Sequence, residues 1–425
     1  MIVDKLSNGL RYCIDSNGAR RSAAIYFLVN VGSVNEKKKQ YGMAHFLEHM
    51  LFKGTEKRLQ SKNITNNIYK LGGTTNAFTS YDMTGYYINI GHEFVADAIE
   101  ILADILFNST FRDMEEEKGV VISENKKNTS SPQTKFHLKF NEMMYKCTPY
   151  QHDIGGTNSN IKKFTRKMVI DFYKKFYFPE NIVLSIAGKV PKNIKNIVRK
   201  HFNKKMKRGK GEAIEDVLVK DFMDIQRVPR SLSMVSNNLD QAEIVIGFPC
   251  YDYDDRRSHV LVIASTVLGG NMSSRLAIKL REELGLVYTV SSSIDTNIDT
   301  GDFTISAGTF LNKVDKVVSV IIEELVKMRD NGITEDELKN SVNFTCGMMD
   351  LNNEDNDSKA TWNGYNLLKL NKILDIEDQK KIFRSITNGE IMCVLKDVIK
   401  FNKMNLGVLS NKKHVNTVKR EQFGK

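Results

Sequence analysis

Residues Gly42-Met43-Ala44-His45-Phe46-Leu47-Glu48-His49-Met50-Leu51-Phe52 decide how this chain is read. Apolar residues recur through the stretch at helical spacing, so a helix is expected, and His45 and His49, four apart, then project from one face. Such a face can hold a metal ion. Glu48 directly precedes His49 and brings a carboxylate to the edge of the same face, where it can serve as general base toward a metal-activated water. A lone histidine on an apolar helix face is usually a satisfied core residue, and Glu48 by itself could be a salt-bridge partner. Two His and a Glu at this spacing, in a chain with only 8 His, favour the metal.

Outward from this helix the pattern is mixed α and β. Residues 22–31 (S-A-A-I-Y-F-L-V-N-V) read as a buried strand, and the histidine helix is expected to stop at Lys53-Gly54, with Gly54 as a left-handed cap. A helix at 61–71 ends at Gly72-Gly73, and residues 75–79 and 84–90 alternate like two paired strands. Residues 92–107 form an amphipathic helix. The next helix, 112–127, carries Glu117 and Glu124 seven apart, on a face expected to include Val120 and Val121. Carboxylates on an otherwise apolar face need a reason. A catalytic zinc site with two helical histidines needs a third protein ligand and an open position. Glu124 is the candidate ligand and Glu117 a supporting carboxylate. Spacing alone leaves open the ordinary reading of glutamates solvated on a lysine-rich helix.

Residues 203–212 are lysine-rich and lack apolar periodicity, so the chain divides into domains at 1–205 and 231–425 with a linker at 206–230. At 425 residues, two cores are expected. The second half repeats the element order of the first, with strands near 231–235, 242–248, 287–294 and 302–308, helices at 256–268, 274–284 and 313–328, and a closing strand at 404–409. Thr334/Glu337 and Thr387/Glu390 are capping-box signals for further helices. A distant internal duplication follows. The counterpart of the histidine helix retains only His259, so the second domain is not a second metal centre.

Composition narrows the function classes. The chain is 41% hydrophobic and 27% charged, with no run approaching a membrane span and no signal-peptide pattern at its start, so a soluble cytoplasmic protein is expected, with an organelle as the alternative. Five scattered cysteines fit neither a disulfide framework nor a thiolate zinc site. The net charge of +11 comes from lysine runs such as Lys37-Lys38-Lys39 without interleaved aromatics, which reads as solvated surface rather than a nucleic-acid footprint.

His45-Phe46-Leu47-Glu48-His49, an inverted zinc motif, resembles the pitrilysin/insulinase family of metallopeptidases, in the short two-domain form related to mitochondrial processing peptidase. The resemblance continues through Met50 to Thr55, Gly72-Gly73 with Asn76-Ala77-Phe78-Thr79, Glu117 to Glu124, Phe178-Pro179-Glu180-Asn181, Ser273 to Leu276 and Arg281 to Tyr288. It implies two similar α+β domains, each a mostly antiparallel sheet backed by helices. It implies His45, His49 and Glu124 as ligands of one zinc ion per chain, Glu48 as general base and Glu117 in support. Asn76 to Thr79 would be an edge strand that pairs with substrate backbone, and Arg281 and Tyr288 would bind substrate and steady the oxyanion. The segment Pro149 to Gly156 departs from the family's pattern, and His152 is not taken as a ligand. Because this chain carries both the zinc motif and the Arg/Tyr pair, the resemblance implies a homodimer, with a heterodimer as the alternative. The expected activity is zinc-dependent hydrolysis of peptides or unfolded segments. The rival readings are a catalytically silent assembly subunit of the same fold and a hydrolase of non-peptide substrates.

Overall fold

The computed structural model describes residues 1–204, 219, 221–414 and 420–423. The chain forms two compact units that interleave along it. The described residues of Met1–Lys126, His152–Val217 and Asp350–Leu374 make the first, and those of Lys127–Gln151, Leu218–Met349 and Asp375–Lys425 the second. Most of the lysine-rich segment expected as a linker lies outside the described residues. Its C-terminal part contains a short helix, Phe222–Ile225.

The first unit is built on a six-stranded sheet of β1 (Ile2–Lys5), β2 (Arg11–Ser16), β3 (Ser22–Val29), β4 (Thr74–Thr79), β5 (Thr84–Gly91) and β6 (Ile182–Gly188), in the order β1-β2-β6-β3-β5-β4. Every neighbouring pair is antiparallel except β2 with β6. The central strands β3 and β6 are buried on both faces, which is why they read as unbroken apolar runs rather than alternating ones. The helices α1 (Met43–Leu51), α2 (Ser61–Lys70), α3 (Val95–Asn108) and α4 (Met114–Ser130) follow in chain order, and buried residues of all four join the core on one face. The other face is covered by a helix from far along the chain, Asn356–Leu370, whose Ala360, Leu367 and Leu368 pack with Cys13, Ala24, Leu28 and Val183. Ser185 Oγ donates to Ala360 O at 2.6 Å. The approach is close enough that a Cβ on Gly364 would meet Leu28 Cδ1 at 2.6 Å.

The second unit repeats this plan. Its strands are β7 (Arg230–Val235), β8 (Ala242–Cys250), β9 (Val287–Thr296), β10 (Gly301–Thr309) and β11 (Asn405–Ser410), ordered β7-β11-β8-β10-β9, again with one parallel pair, β7 with β11. Strand for strand this reproduces β2-β6-β3-β5-β4, pairing signs included, which supports the duplication inferred from element order. Here too a helix from the other half of the sequence lies on the sheet: Phe136 and Phe140 of α5 (Pro132–Met144) sit where a Cβ on Gly407 would meet them at 2.8 and 2.7 Å. By order, α5 and Asn356–Leu370 are counterparts.

Three local expectations change. The histidine helix ends at Leu51 with Phe52 as its C-cap, and Gly54, with φ of +136°, lies two residues beyond. The expected helix at 274–284 is a π-helix over Ala277–Glu283. Val121 is fully buried but Val120 is 47% exposed: at about 100° per residue the two flank the Glu117/Glu124 line on opposite sides, and only the Val121 side packs into the core. Among the described residues, no helix is long and apolar enough to cross a membrane.

Candidate metal centre

Helix α1 buries Met43, Ala44, Phe46, Leu47, Met50 and Leu51, which turns His45, Glu48 and His49 toward its remaining side. Its N-terminus is held by Glu36, whose carboxylate accepts the backbone N–H groups of Gly42 and Ala44, each at 2.7 Å. Those two bonds satisfy backbone donors that the helix start leaves unpaired. Burial pushes the Glu36 carboxyl up to about 8 even though those N–H groups pull the other way.

His45 Nε2 and His49 Nε2 lie 3.3 Å apart. Glu124, from α4, places Oε1 at 3.9 Å from His45 Nε2 and Oε2 at 3.6 Å from His49 Nε2. Bonds of about 2.1 Å to one tetrahedral centre put ligand atoms about 3.4 Å apart, so two imidazoles and a carboxylate at these spacings fit a zinc ion and leave a fourth position open. Among the described residues, this is the one group of His, Cys, Asp and Glu able to hold a metal. The Glu124 side chain is 41% exposed, on the accessible side of the cluster.

Behind His49 stands Glu117, with Oε1 at 2.8 Å from His49 Nδ1. That carboxylate fixes the His49 proton on Nδ1 and leaves Nε2 as the lone pair facing the cluster. Glu117 Oε2 in turn lies 2.6 Å from Lys53 Nζ. Burial raises the Glu117 carboxyl, but the bonds from His49 and Lys53 outweigh it and the net shift is downward. For His45, burial and then the neighbouring His49 lower the pKa to about 4, keeping the ring neutral. For His49, burial opposes charge, but Glu117, Glu48 and Glu124 reverse it and the pKa rises. The cluster therefore favours positive charge at the His49 end, which a cation can supply in place of a proton.

Glu48 is buried, and its Oε2 accepts the Thr79 hydroxyl at 2.5 Å. Burial raises its pKa, against that hydrogen bond. Thr79 ends β4, the edge strand, which pairs only with β5. Asn76 is exposed on this strand, and Ala77 and Phe78 are half-buried. The structure thus brings His45, Glu48, His49, Glu117, Glu124 and Thr79 together.

Arg281 and Tyr288 belong to the second unit. Arg281 lies on the π-helix, with Nη1 at 3.2 Å from Met272 Sδ, and Tyr288 is an exposed residue of β9 whose ring packs against Phe310. His152 stacks on Tyr41, and His259 pairs with Gln379, so neither enters the cluster. Two residues of the site went unread in the sequence. Lys53 stands one helical turn after His49, and Glu36 shortly before α1, but their partners are identified only by the fold.

Residues 11–158 match the family described as insulinase (peptidase family M16), and residues 163–344 match the peptidase M16 inactive domain. The uncharacterized zinc protease YmxG of Bacillus subtilis is 33% identical over 371 residues, which span 86% of this chain and 87% of that protein. The chain belongs to peptidase family M16. Another relative, an uncharacterized zinc protease of Rickettsia bellii, is 30% identical over 92% of this chain and 93% of its own length. A protease from Helicobacter pylori shares this fold, with a TM-score of 0.87 at 23% identity over 96% of this chain and 99% of that one. The M16 inactive-domain match accords with a second half that lacks the H-x-x-E-H motif.

Proposed function

We propose that the protein is a zinc-dependent endopeptidase acting on peptides or extended, unfolded protein segments. The observation that carries this reading is the spacing of His45, His49 and Glu124, 3.3 to 3.9 Å between donor atoms, with Glu48 on the same helix as both histidines. A zinc ion held by these three residues supplies a Lewis acid for a scissile carbonyl and acidifies water. Glu48 is the general base. Its Oε2 is held by Thr79, so Oε1, unbonded among the described residues, is the oxygen to take a proton and later deliver it to the leaving amine nitrogen. Burial raises its proton affinity, which suits a group that must both accept and release a proton near neutral pH. Glu117 keeps His49 in the ligating tautomer.

Strand β4 supports the choice of substrate. An edge strand offers unpaired N–H and C=O groups to an extended chain, which a folded protein does not present. Asn76 to Thr79 are assigned to that role, and Arg281 and Tyr288 to donation toward developing negative charge. The assembly proposed with this activity is a homodimer, each copy completing the other's site; a fully active monomer by analytical ultracentrifugation would refute it.

The test is cleavage of a quenched fluorescent peptide library by wild type and Glu48→Gln, with zinc measured in both. Zinc in both and cleavage by wild type alone is expected. Zinc in both without any cleavage would point to a silent subunit, and no zinc in either would sink the site.

A further inference from the structure

Lys53 lies just past the end of α1, four residues after His49. Its ammonium sits 2.6 Å from Glu117 Oε2, while Glu117 Oε1 sits 2.8 Å from His49 Nδ1. The three side chains form one chain of charge-assisted contacts leading to the cluster. Lys53 and Glu117 are 15% and 7% exposed, so water competes little for either contact. The terminal torsion of a glutamate is broad and roughly two-fold. A carboxylate bonded through one oxygen could swing away from His49; bonded through both, it cannot. Glu116 and Asp113 add further attraction for the Lys53 ammonium, so it is drawn to the first turn of α4 from several directions.

We propose that Lys53 is a positioning residue of the metal centre, clamping the Glu117 carboxylate so that His49 presents Nε2 to the ion. The proposal rests on the zinc reading of His45, His49 and Glu124. The contending explanation is an ordinary ion pair that fastens the end of α1 to α4. An ordinary ion pair would alter the stability of the metal-free protein and leave metal affinity alone. A clamp acts the other way round, because groups that orient metal-ligating histidines set affinity by about 10–100-fold.

The experiment uses the full chain stripped of metal, with zinc affinity measured by competition against a chromophoric chelator and folding followed by urea unfolding of the metal-free form. Lys53→Met is expected to weaken zinc binding by about 10–100-fold, and Lys53→Arg to restore most of it. In a Glu117→Gln background Lys53→Met should add nothing further, because both act through the same carboxylate. Should Lys53→Met unfold, Lys53→Gln replaces it in the same comparison. Zinc affinity within two-fold of wild type in the neutral variant, while Glu117→Gln weakens it tenfold, would overturn the role of Lys53 and leave the zinc site standing. A wild-type protein that binds no zinc would overturn both.

Discussion

Replacing Thr79 by valine removes one hydroxyl and keeps the shape of the side chain. The hydroxyl donates to Glu48 Oε2 at 2.5 Å, and Glu48 is only 9% exposed, so no bulk water can take over the bond at full strength. A hydrogen bond to a charged group contributes about 1.5–3 kcal/mol. If that energy holds the general base in its working rotamer, its loss appears in the transition state, and at about 1.4 kcal/mol per tenfold, kcat/KM should fall by about 10- to 150-fold. The same bond lowers the Glu48 pKa, so removing it raises that pKa further. A base must be deprotonated to act, and the acid limb of the pH–rate profile should therefore move to higher pH in Thr79→Val. The assay is initial-rate cleavage of a quenched peptide across pH, with zinc content checked and Thr79→Ser as the rescuing variant. A Thr79→Val protein with full zinc, unchanged kcat/KM and an unmoved acid limb would refute the reasoning.

Gly407→Ala should destabilise the protein by about 1–3 kcal/mol, since the new Cβ meets Phe140 and Phe136 at 2.7 and 2.8 Å in a packed interface; an unchanged urea midpoint would contradict it. Glu36 supplies a pH prediction. Its carboxyl is pushed up to about 8 in the folded chain from an ordinary 4.5, so the folded state binds the extra proton between these limits and stability falls as pH rises through them. Glu36→Gln removes this titration, and the metal-free variant should lose less stability than metal-free wild type between pH 5 and 8. Parallel stability curves would count against it.

Much of the site was legible because it is local. His45, Glu48 and His49 lie within five residues, and helical periodicity alone puts them on one side of α1. Glu124 was not legible on the same terms. It is partly exposed on a helix with charged neighbours, and only the fold, which sets it within 4 Å of both histidines, separates it from a solvated glutamate. Thr79, Lys53 and Glu36 carry their meaning in partners from other elements, which periodicity does not report. The strands were readable from composition, but which helix covers which sheet was not. The Asn356–Leu370 helix has an apolar face like any other, and nothing in its spacing says that β3 and β6 lie beneath it.

That covering arrangement bears on how the gene could have arisen and how it can be cut. Each sheet is closed by a helix encoded in the opposite half, so neither half encodes a finished core. A chain of half the length built on this plan would need a second copy of itself to supply that helix. The same logic governs fragments. Residues 1–205 and 231–425 expressed separately should each expose a bare apolar sheet face and aggregate, yet recover solubility when produced together, each segment supplying the helix the other lacks.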